Sequence, residues 1–285
     1  MSIVVTGATG HFGRLVVENL LERGVPAEQI VAAGRRIDQL KDLADRGVQV
    51  RAIDFNDPAS LREAFAGAQK ALLISGTEVG QRTTHHQNVI DAARDAGVGL
   101  LAYTSVANAD STTLQLAADH QATEAALRAS GVPFTLLRNS WYLENYTGQI
   151  ESYLQHGVVI GAAGDGRVSA AARADYATAA AAVLTADGQE GRVYELGGDQ
   201  AFTMAELAAQ ISAASGQDVV YRDLTVDAYA QLLIDAGLPE PVAAMIADND
   251  RGVSQGNLLV TSGDLSRLIG RPTTSLAAAV AAALD

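Results

Sequence analysis

The segment Ser2-Ile3-Val4-Val5-Thr6-Gly7-Ala8-Thr9-Gly10-His11-Phe12-Gly13 decides the fold. Its first residues are β-branched and apolar, as in a buried strand. The next seven form a G-x-x-G-x-x-G loop, and apolar residues then recur at helical spacing through Phe12, Leu15, Val16 and Leu20. In a strand–loop–helix setting, Gly7 permits the tight turn. Gly10 lets the backbone approach a pyrophosphate, and Gly13 lets helix and strand pack closely. The helix start supplies N–H groups and the positive end of its dipole. Such a loop implies a dinucleotide held by Gly7, Gly10, Gly13 and the helix start.

Outward from this loop, strands and helices alternate. Strands are expected at Gln29–Ala33, Val48–Ile53, Ala71–Ser75, Gly99–Ser105 and Phe134–Arg138. Helices are expected at Ile37–Arg46, from Asp57-Pro58 onward, at Gln81–Ala96 and at Leu114–Ala129. Asp57 is a good N-cap, and Pro58 fits the first helical position. This pace means crossover units and a parallel sheet covered on both faces. The fold class expected is α/β, a Rossmann doubly wound parallel sheet with a smaller α/β C-terminal lobe. The dinucleotide-binding Rossmann domain is assigned to 1–140, with 173–197 returning to it, and the smaller substrate-binding lobe to 141–172 and 198–285.

After Asn139 the pattern loosens. Trp141–Gln155 reads as a helix, Ala162–Gly166 as a turn, and Ala174–Leu184 as a helix returning to the core. Arg192–Leu196 and Val219–Asp223 read as strands. Thr203 with Glu206 three residues on is a capping-box pattern. Val226–Leu284 is expected to be mostly helical.

Ligands of such sheets bind at the carboxyl ends of the strands. At the end of the second strand stand Gly34-Arg35-Arg36, with no acid before Asp38. NAD sites usually carry an Asp or Glu there for the ribose 2′-hydroxyl, and NADP sites an Arg. Arg35 therefore points to NADP, whose 2′-phosphate would meet a guanidinium and no carboxylate. Asp54, ending the third strand, could accept from the adenine amino group or cap the next turn.

Other chemistries are bounded by counting. There is no cysteine among the 285 residues, which excludes disulfides and thiolate chemistry. The net charge of -13 disfavours nucleic acid. The most apolar run, Leu276–Leu284, is far shorter than the ~20 residues of a membrane helix. No charged leader or lipidation motif is evident, so a cytoplasmic protein is expected. The only lysines are Lys41 and Lys70, preceded four residues earlier by Ile37 and Ala66. The Tyr-x-x-x-Lys acid pair of classical short-chain dehydrogenases is thus absent. Hydride transfer to an acceptor whose product oxygens take protons from water, such as a quinone, remains open. His85 and His86 are adjacent, do not form a two-ligand face, and read as partly exposed helix surface, so no metal site is expected. His120 could donate a hydrogen bond or proton near neutral pH, or be structural. Trp141, Tyr142 and Tyr146 could stack on a flat acceptor or pack a core.

Several longer motifs are more discriminating than the loop. They are Thr6–Gly10, Ser75-Gly76-Thr77-Glu78-Val79-Gly80-Gln81-Arg82, Leu137–Tyr146, Gly161–Gly166 with Arg173–Tyr176, and Leu268–Thr273. With them the whole chain resembles the NmrA-like, atypical short-chain dehydrogenase/reductases. More narrowly, it resembles the bacterial type 2 NAD(P)H:quinone oxidoreductases, with triphenylmethane reductases as relatives. The resemblance implies NADPH-to-quinone hydride transfer, with a dye or imine reductase and a non-catalytic NADP(H) sensor as alternatives. It implies that Ser75 and Gly76 line the nicotinamide side. Asn139, Trp141, Tyr142 and Asn145 would lie by the nicotinamide and the acceptor, and Arg173 would close over the cofactor. His120 would stand where related reductases carry a catalytic lysine; His120 and Tyr142 are the catalytic candidates. At Ser75-Gly76 quinone reductases tend to show a longer serine run, so this point leans toward the dye reductases. The partner expected is a small quinone-like molecule. Neither nucleic acid nor membrane is expected, and a homodimer is left open.

Overall fold

The computed structural model describes residues 2–76, 78 and 80–284. Thr77 and Val79 of the motif above lie outside the described residues. In chain order the elements are β1 (Ile3–Val5), α1 (His11–Glu22), β2 (Ile30–Gly34), α2 (Lys41–Asp45), β3 (Gln49–Ala52), α3 (Pro58–Phe65), β4 (Lys70–Leu73) and α4 (Arg82–Asp95). There follow β5 (Leu100–Val106), α5 (Ala117–Ser130), β6 (Phe134–Asn139), α6 (Glu144–Thr147), α7 (Ile150–His156), β7 (Val158–Gly161), α8 (Arg173–Thr185) and β8 (Val193–Leu196). The chain ends with α9 (Met204–Ser215), β9 (Val220–Asp223), α10 (Val226–Asp235), α11 (Glu240–Ser254), α12 (Asp264–Ile269) and α13 (Leu276–Leu284).

Seven strands form one sheet in the order β3-β2-β1-β4-β5-β6-β8. β1 pairs in parallel with β2, Ile3 opposite Ile30, and with β4, Ile3 opposite Lys70. Strands β2–β3 and β4–β5 also pair in parallel. The progression along the sheet therefore reverses at β1 and β4, and the carboxyl ends of β1 to β4 open on one edge. That is the switch point where such sheets take ligands.

Two compact units follow from the contacts. The first comprises 1–106, 119–138 and 176–194. Its β1 and β5 are buried throughout, in keeping with strands covered on both faces. One core cluster joins Leu61 and Phe65 of α3, Leu73 of β4, Val89 and Ile90 of α4 and Tyr103 of β5. α3 starts where its cap requires: Asp57 accepts from Ala59 N at 2.9 Å and Pro58 follows.

The second unit comprises 107–118, 139–175 and 195–285. It carries the parallel β7–β9 pair, Val158 opposite Val220. α9 opens on a capping box: Thr203 Oγ1 accepts from Glu206 N at 3.1 Å, and Glu206 Oε2 accepts from Thr203 N at 2.9 Å. Three successive backbone N–H groups after β7 are each held by a side chain. Ala162 donates to Asp250 Oδ2 (2.8 Å), Ala163 to Tyr221 Oη (3.0 Å) and Gly164 to Asp223 Oδ1 (2.8 Å). Burial raises the pKa of Asp250 to about 6, with the Asp223 carboxylate adding to the rise. Farther along, fully buried Asp175 accepts from Arg271 Nη2 (2.6 Å) and Thr274 N (2.7 Å).

Three expectations are corrected. The Ile37–Arg46 helix is a 3₁₀ turn at Ile37–Leu40 followed by the short α2. Trp141–Gln155 is not one helix: Tyr142 bridges to Ala171 in extended pairing before α6, and Gly148-Gln149 separates α6 from α7. Strand β7 falls between that expected helix and the expected turn, where no element was expected. The helix expected from Leu114 begins at Ala117.

Candidate cofactor site

Within the first unit a cavity of about 290 Å³ opens at the carboxyl ends of β1 to β4. Gly7, Thr9 and Gly10 line one side, Gly34, Arg35 and Arg36 the next, then Ile53, Asp54 and Phe55, and finally Ile74, Ser75, Gly76, Glu78 and His85.

The loop after β1 is built by backbone bonds. Ala8 N donates to Ala33 O (2.9 Å) and Gly10 N to Gly7 O (3.0 Å), with Gly7 at φ +64°. A side chain on Gly13 would strike Gly7 O and stand 2.8 Å from Ala8 Cα, so helix–strand packing alone requires glycine there. Gly34 is similar, because a Cβ would stand 2.8 Å from Thr9 Cγ2. Gly10 differs: its Cβ would meet only Gly7 O, at 3.4 Å. The protein leaves room at Gly10, on the wall of the cavity. The start of α1 has no side-chain cap and no acid in its first turn. An uncapped helix start beside an open glycine fits an anionic diphosphate. Of its first residues, His11 is exposed and Phe12 is buried in the core, so the Phe12 ring serves packing.

At the adjacent corner stand the exposed Arg35 and Arg36. Here the structure corrects the expectation of no carboxylate: Glu78 Oε1 lies 2.6 Å from Arg35 Nη1, and Glu78 Oε2 lies 3.9 Å from His85 Nδ1. Asp54 caps its own turn, accepting from Asn56 N at 2.8 Å, and also lines the cavity.

The segment after β4 is held by a polar clamp. Thr6 Oγ1 accepts from Ile74 N (3.1 Å), and Thr104 Oγ1 accepts from Ser75 N (2.8 Å). Gly76 is gripped at both ends of its polar backbone, donating N–H to His86 Nε2 (3.0 Å) while its carbonyl accepts from Arg82 Nε (2.6 Å). Arg82 and His86 are one turn apart on α4 and share a face. His86 Nδ1 meets Thr123 Oγ1 at 2.8 Å, and that hydroxyl donates to Asp119 O at 2.8 Å. Since Nε2 accepts, Nδ1 carries the proton and the ring is neutral. Burial, helped by His120, Arg82 and His85, lowers the His86 pKa to about 3. His85 and His86 are therefore not partly exposed, as expected, but 4% and 0% exposed.

His120 is buried, its Nδ1 2.8 Å from Tyr103 Oη. Burial, with a smaller push from Arg82, lowers its pKa to about 4. The ring is neutral at neutral pH, and its chemistry there is hydrogen bonding. Nearby Glu124 is buried, takes both Arg138 Nε (2.9 Å) and Nη2 (2.6 Å), and accepts from Ser105 Oγ (2.7 Å). Burial would raise its pKa, but these donors outweigh it and hold the carboxyl below its usual range.

In the second unit, a separate cluster contains several expected site residues. Asn139 is buried, and its Oδ1 has no hydrogen-bond partner among the described residues. Its side chain bonds the half-buried Tyr142. The Arg173 guanidinium lies 4.9 Å from the Tyr142 ring centroid, and Arg173 N donates to the Glu144 carboxylate at 2.9 Å. Burial raises the Tyr142 pKa against the opposing pull of Arg173 and Asn139. Trp141 and Asn145 are half-buried, while Tyr146 packs edge-on against Phe202, at 5.8 Å, as core.

Sequence reasoning missed Phe55, Glu78 and His85 as cavity walls, and Arg82 and His86 as the clamp. A signal for two of these lay within the Ser75–Arg82 motif, where an acid and an arginine follow the fourth strand.

The fold and this cavity define a Rossmann-type dinucleotide-binding protein. The model of the NmrA-like family matches residues 1–258, and the chain belongs to that family. Quinone oxidoreductase 2 of Escherichia coli is 50% identical over 278 residues, covering 98% of this chain and 97% of that protein. The crystal structure of the NADPH-dependent quinone oxidoreductase of Escherichia coli complexed with NADPH has a TM-score of 0.97 at 49% identity, covering 99% of this chain and 100% of that one. Triphenylmethane reductase of Citrobacter sp., complexed with NADP(H), has a TM-score of 0.94 at 42% identity, with coverage of 99% and 100%.

Proposed function

We propose that this chain is an NADPH-dependent quinone oxidoreductase. The cavity carries the reading: an uncapped helix start, the open face of Gly10 and two arginines at the second strand end fit a phosphorylated dinucleotide. The similarity to the Escherichia coli enzyme supports the acceptor. NADPH supplies a hydride from nicotinamide C4. A quinone that takes this hydride and one proton becomes a hydroquinone, and water can deliver the proton to its oxygen. A Tyr-x-x-x-Lys pair is not needed for that step.

In this reading Gly7, Thr9, Gly10 and Gly13 hold the diphosphate, together with the backbone of His11 and Phe12. Arg35 takes the 2′-phosphate, and Asp54 meets the adenine edge. Ser75 and Gly76 line the nicotinamide side. His120, neutral and bonded to Tyr103, serves as a hydrogen-bonding group. Tyr142 is the proposed polar contact of the acceptor, set by Asn139 and Arg173; Trp141 and Asn145 complete its surroundings. A cytoplasmic homodimer belongs to the same proposal, and sedimentation would test the assembly.

The test is oxidation of NADPH by purified protein with a panel of benzoquinones and naphthoquinones. Rates well above the uncatalysed reaction are expected. A protein that binds NADPH but never exceeds that background would be a sensor, and the enzyme reading would fall. The likeness to triphenylmethane reductase favours one second reading, a dye reductase. Competing a quinone against a triphenylmethane dye in one assay ranks the two.

A further inference from the structure

Arg35 and Glu78 are 43 residues apart in the chain, yet they face each other across one corner of the cavity. Their separation is 2.6 Å, with side-chain exposures of 68% and 38%. The pair is thus open to water and to ligand, and an ion pair of this kind is weak enough to exchange. The second oxygen of Glu78 faces His85 Nδ1 at 3.9 Å, which places the carboxylate inside the corner. Neighbouring Arg36 lines the same corner.

We infer that Glu78 is a specificity-determining residue of the cofactor site, its carboxylate standing on the guanidinium that the 2′-phosphate must claim. This rests on the proposed role of Arg35. An incoming 2′-phosphate displaces Glu78 and then lies close to a like charge. NADH, whose ribose carries a hydroxyl there, leaves the Arg35–Glu78 pair intact. Glu78 therefore taxes NADPH and not NADH, and it narrows the preference that Arg35 creates. As a carboxylate at this corner it also resembles the acid that NAD sites use for the 2′-hydroxyl.

The experiment is calorimetric titration of NADPH and NADH into wild type, Glu78→Gln and Arg35→Ala at low ionic strength, where exposed charges are least screened. Glu78→Gln should tighten NADPH about two- to fivefold, the range of an exposed ion pair, and leave NADH unchanged. Arg35→Ala should weaken NADPH about ten- to a hundredfold, as expected for a charged hydrogen bond, and barely affect NADH. If Arg35→Ala weakens both cofactors equally, Arg35 does not read the 2′-phosphate, and this inference falls with that role. If Arg35→Ala is selective but Glu78→Gln leaves NADPH unchanged or weaker, Glu78 is no competitor and the inference alone is overturned. Thermal melts of both variants check that each is folded.

Discussion

Gly10 and Gly13 sit in one loop and are glycines for different reasons. At Gly13 a methyl group would enter backbone, 2.8 Å from Ala8 Cα. At Gly10 the backbone is extended (φ -90°, ψ 163°), and a methyl group would meet only Gly7 O at 3.4 Å. Gly13→Ala should therefore cost stability, about 1–3 kcal/mol by overpacking. Gly10→Ala should cost less than about 1 kcal/mol, as a poorer helix cap. It should nevertheless weaken NADPH by about tenfold or more, equivalent to ~1.4 kcal/mol. Urea melts and NADPH titrations on the two variants separate these effects. A Gly10→Ala variant that binds NADPH normally would show that no ligand approaches that face.

Among the elements, the β4–α4 segment shows how a helix that lends only His85 to the cavity wall shapes the site through two further residues. His86 and Arg82 of α4 fix the Gly76 peptide, and Gly76 lines the cavity. His86→Leu removes the acceptor of a buried N–H, which costs about 1–3 kcal/mol. It should also raise KM for NADPH several-fold with little change in KM for the quinone. His86→Gln can return an acceptor to the same place and should recover most of the loss. Equal NADPH affinity in wild type and His86→Leu would mean that the clamp is only structural. This segment also marks what the sequence could reveal. The glycine loop, the Asp57-Pro58 start and the Thr203–Glu206 box were readable because each acts within a few residues. The burial of His85 and His86 was not, because His86 meets Thr123 and Gly76 and His85 meets Asn56 and Phe55, residues brought together by the fold. Glu78 was overlooked beside Arg35 for the same reason. Trp141–Gln155 misled by composition: helix-compatible residues continue across the extended Tyr142, whose pairing with Ala171 is decided elsewhere in the chain.

Across the molecule, acid acts through groups of opposite sign. His86 and His120 are held neutral when folded, with pKa values of about 3 and 4 against an ordinary 6.5. Below pH 6.5 the unfolded chain takes up their protons first, so their contribution is full above that value and declines toward the folded values. Asp250 runs the other way: its folded pKa of about 6 exceeds the ordinary 3.8, so the folded state binds its proton first as pH falls. Between pH 6 and 4.5 these three groups leave a net loss of one proton's linkage, about 1.4 kcal/mol per pH unit. Asp250→Asn keeps an acceptor for Ala162 N but removes the opposing titration. Its urea stability should fall about twice as steeply over that range. Slopes that match in the two proteins would show that Asp250 is not protonated first in the folded state. The buried Asp175 has a different consequence. Its two oxygens are satisfied from Arg271 and Thr274, close to the far end of the chain. Truncation at residue 270 would strip both donors from a charge that water does not reach, which is costly. The Arg271–Thr274 stretch is thus a plug over Asp175.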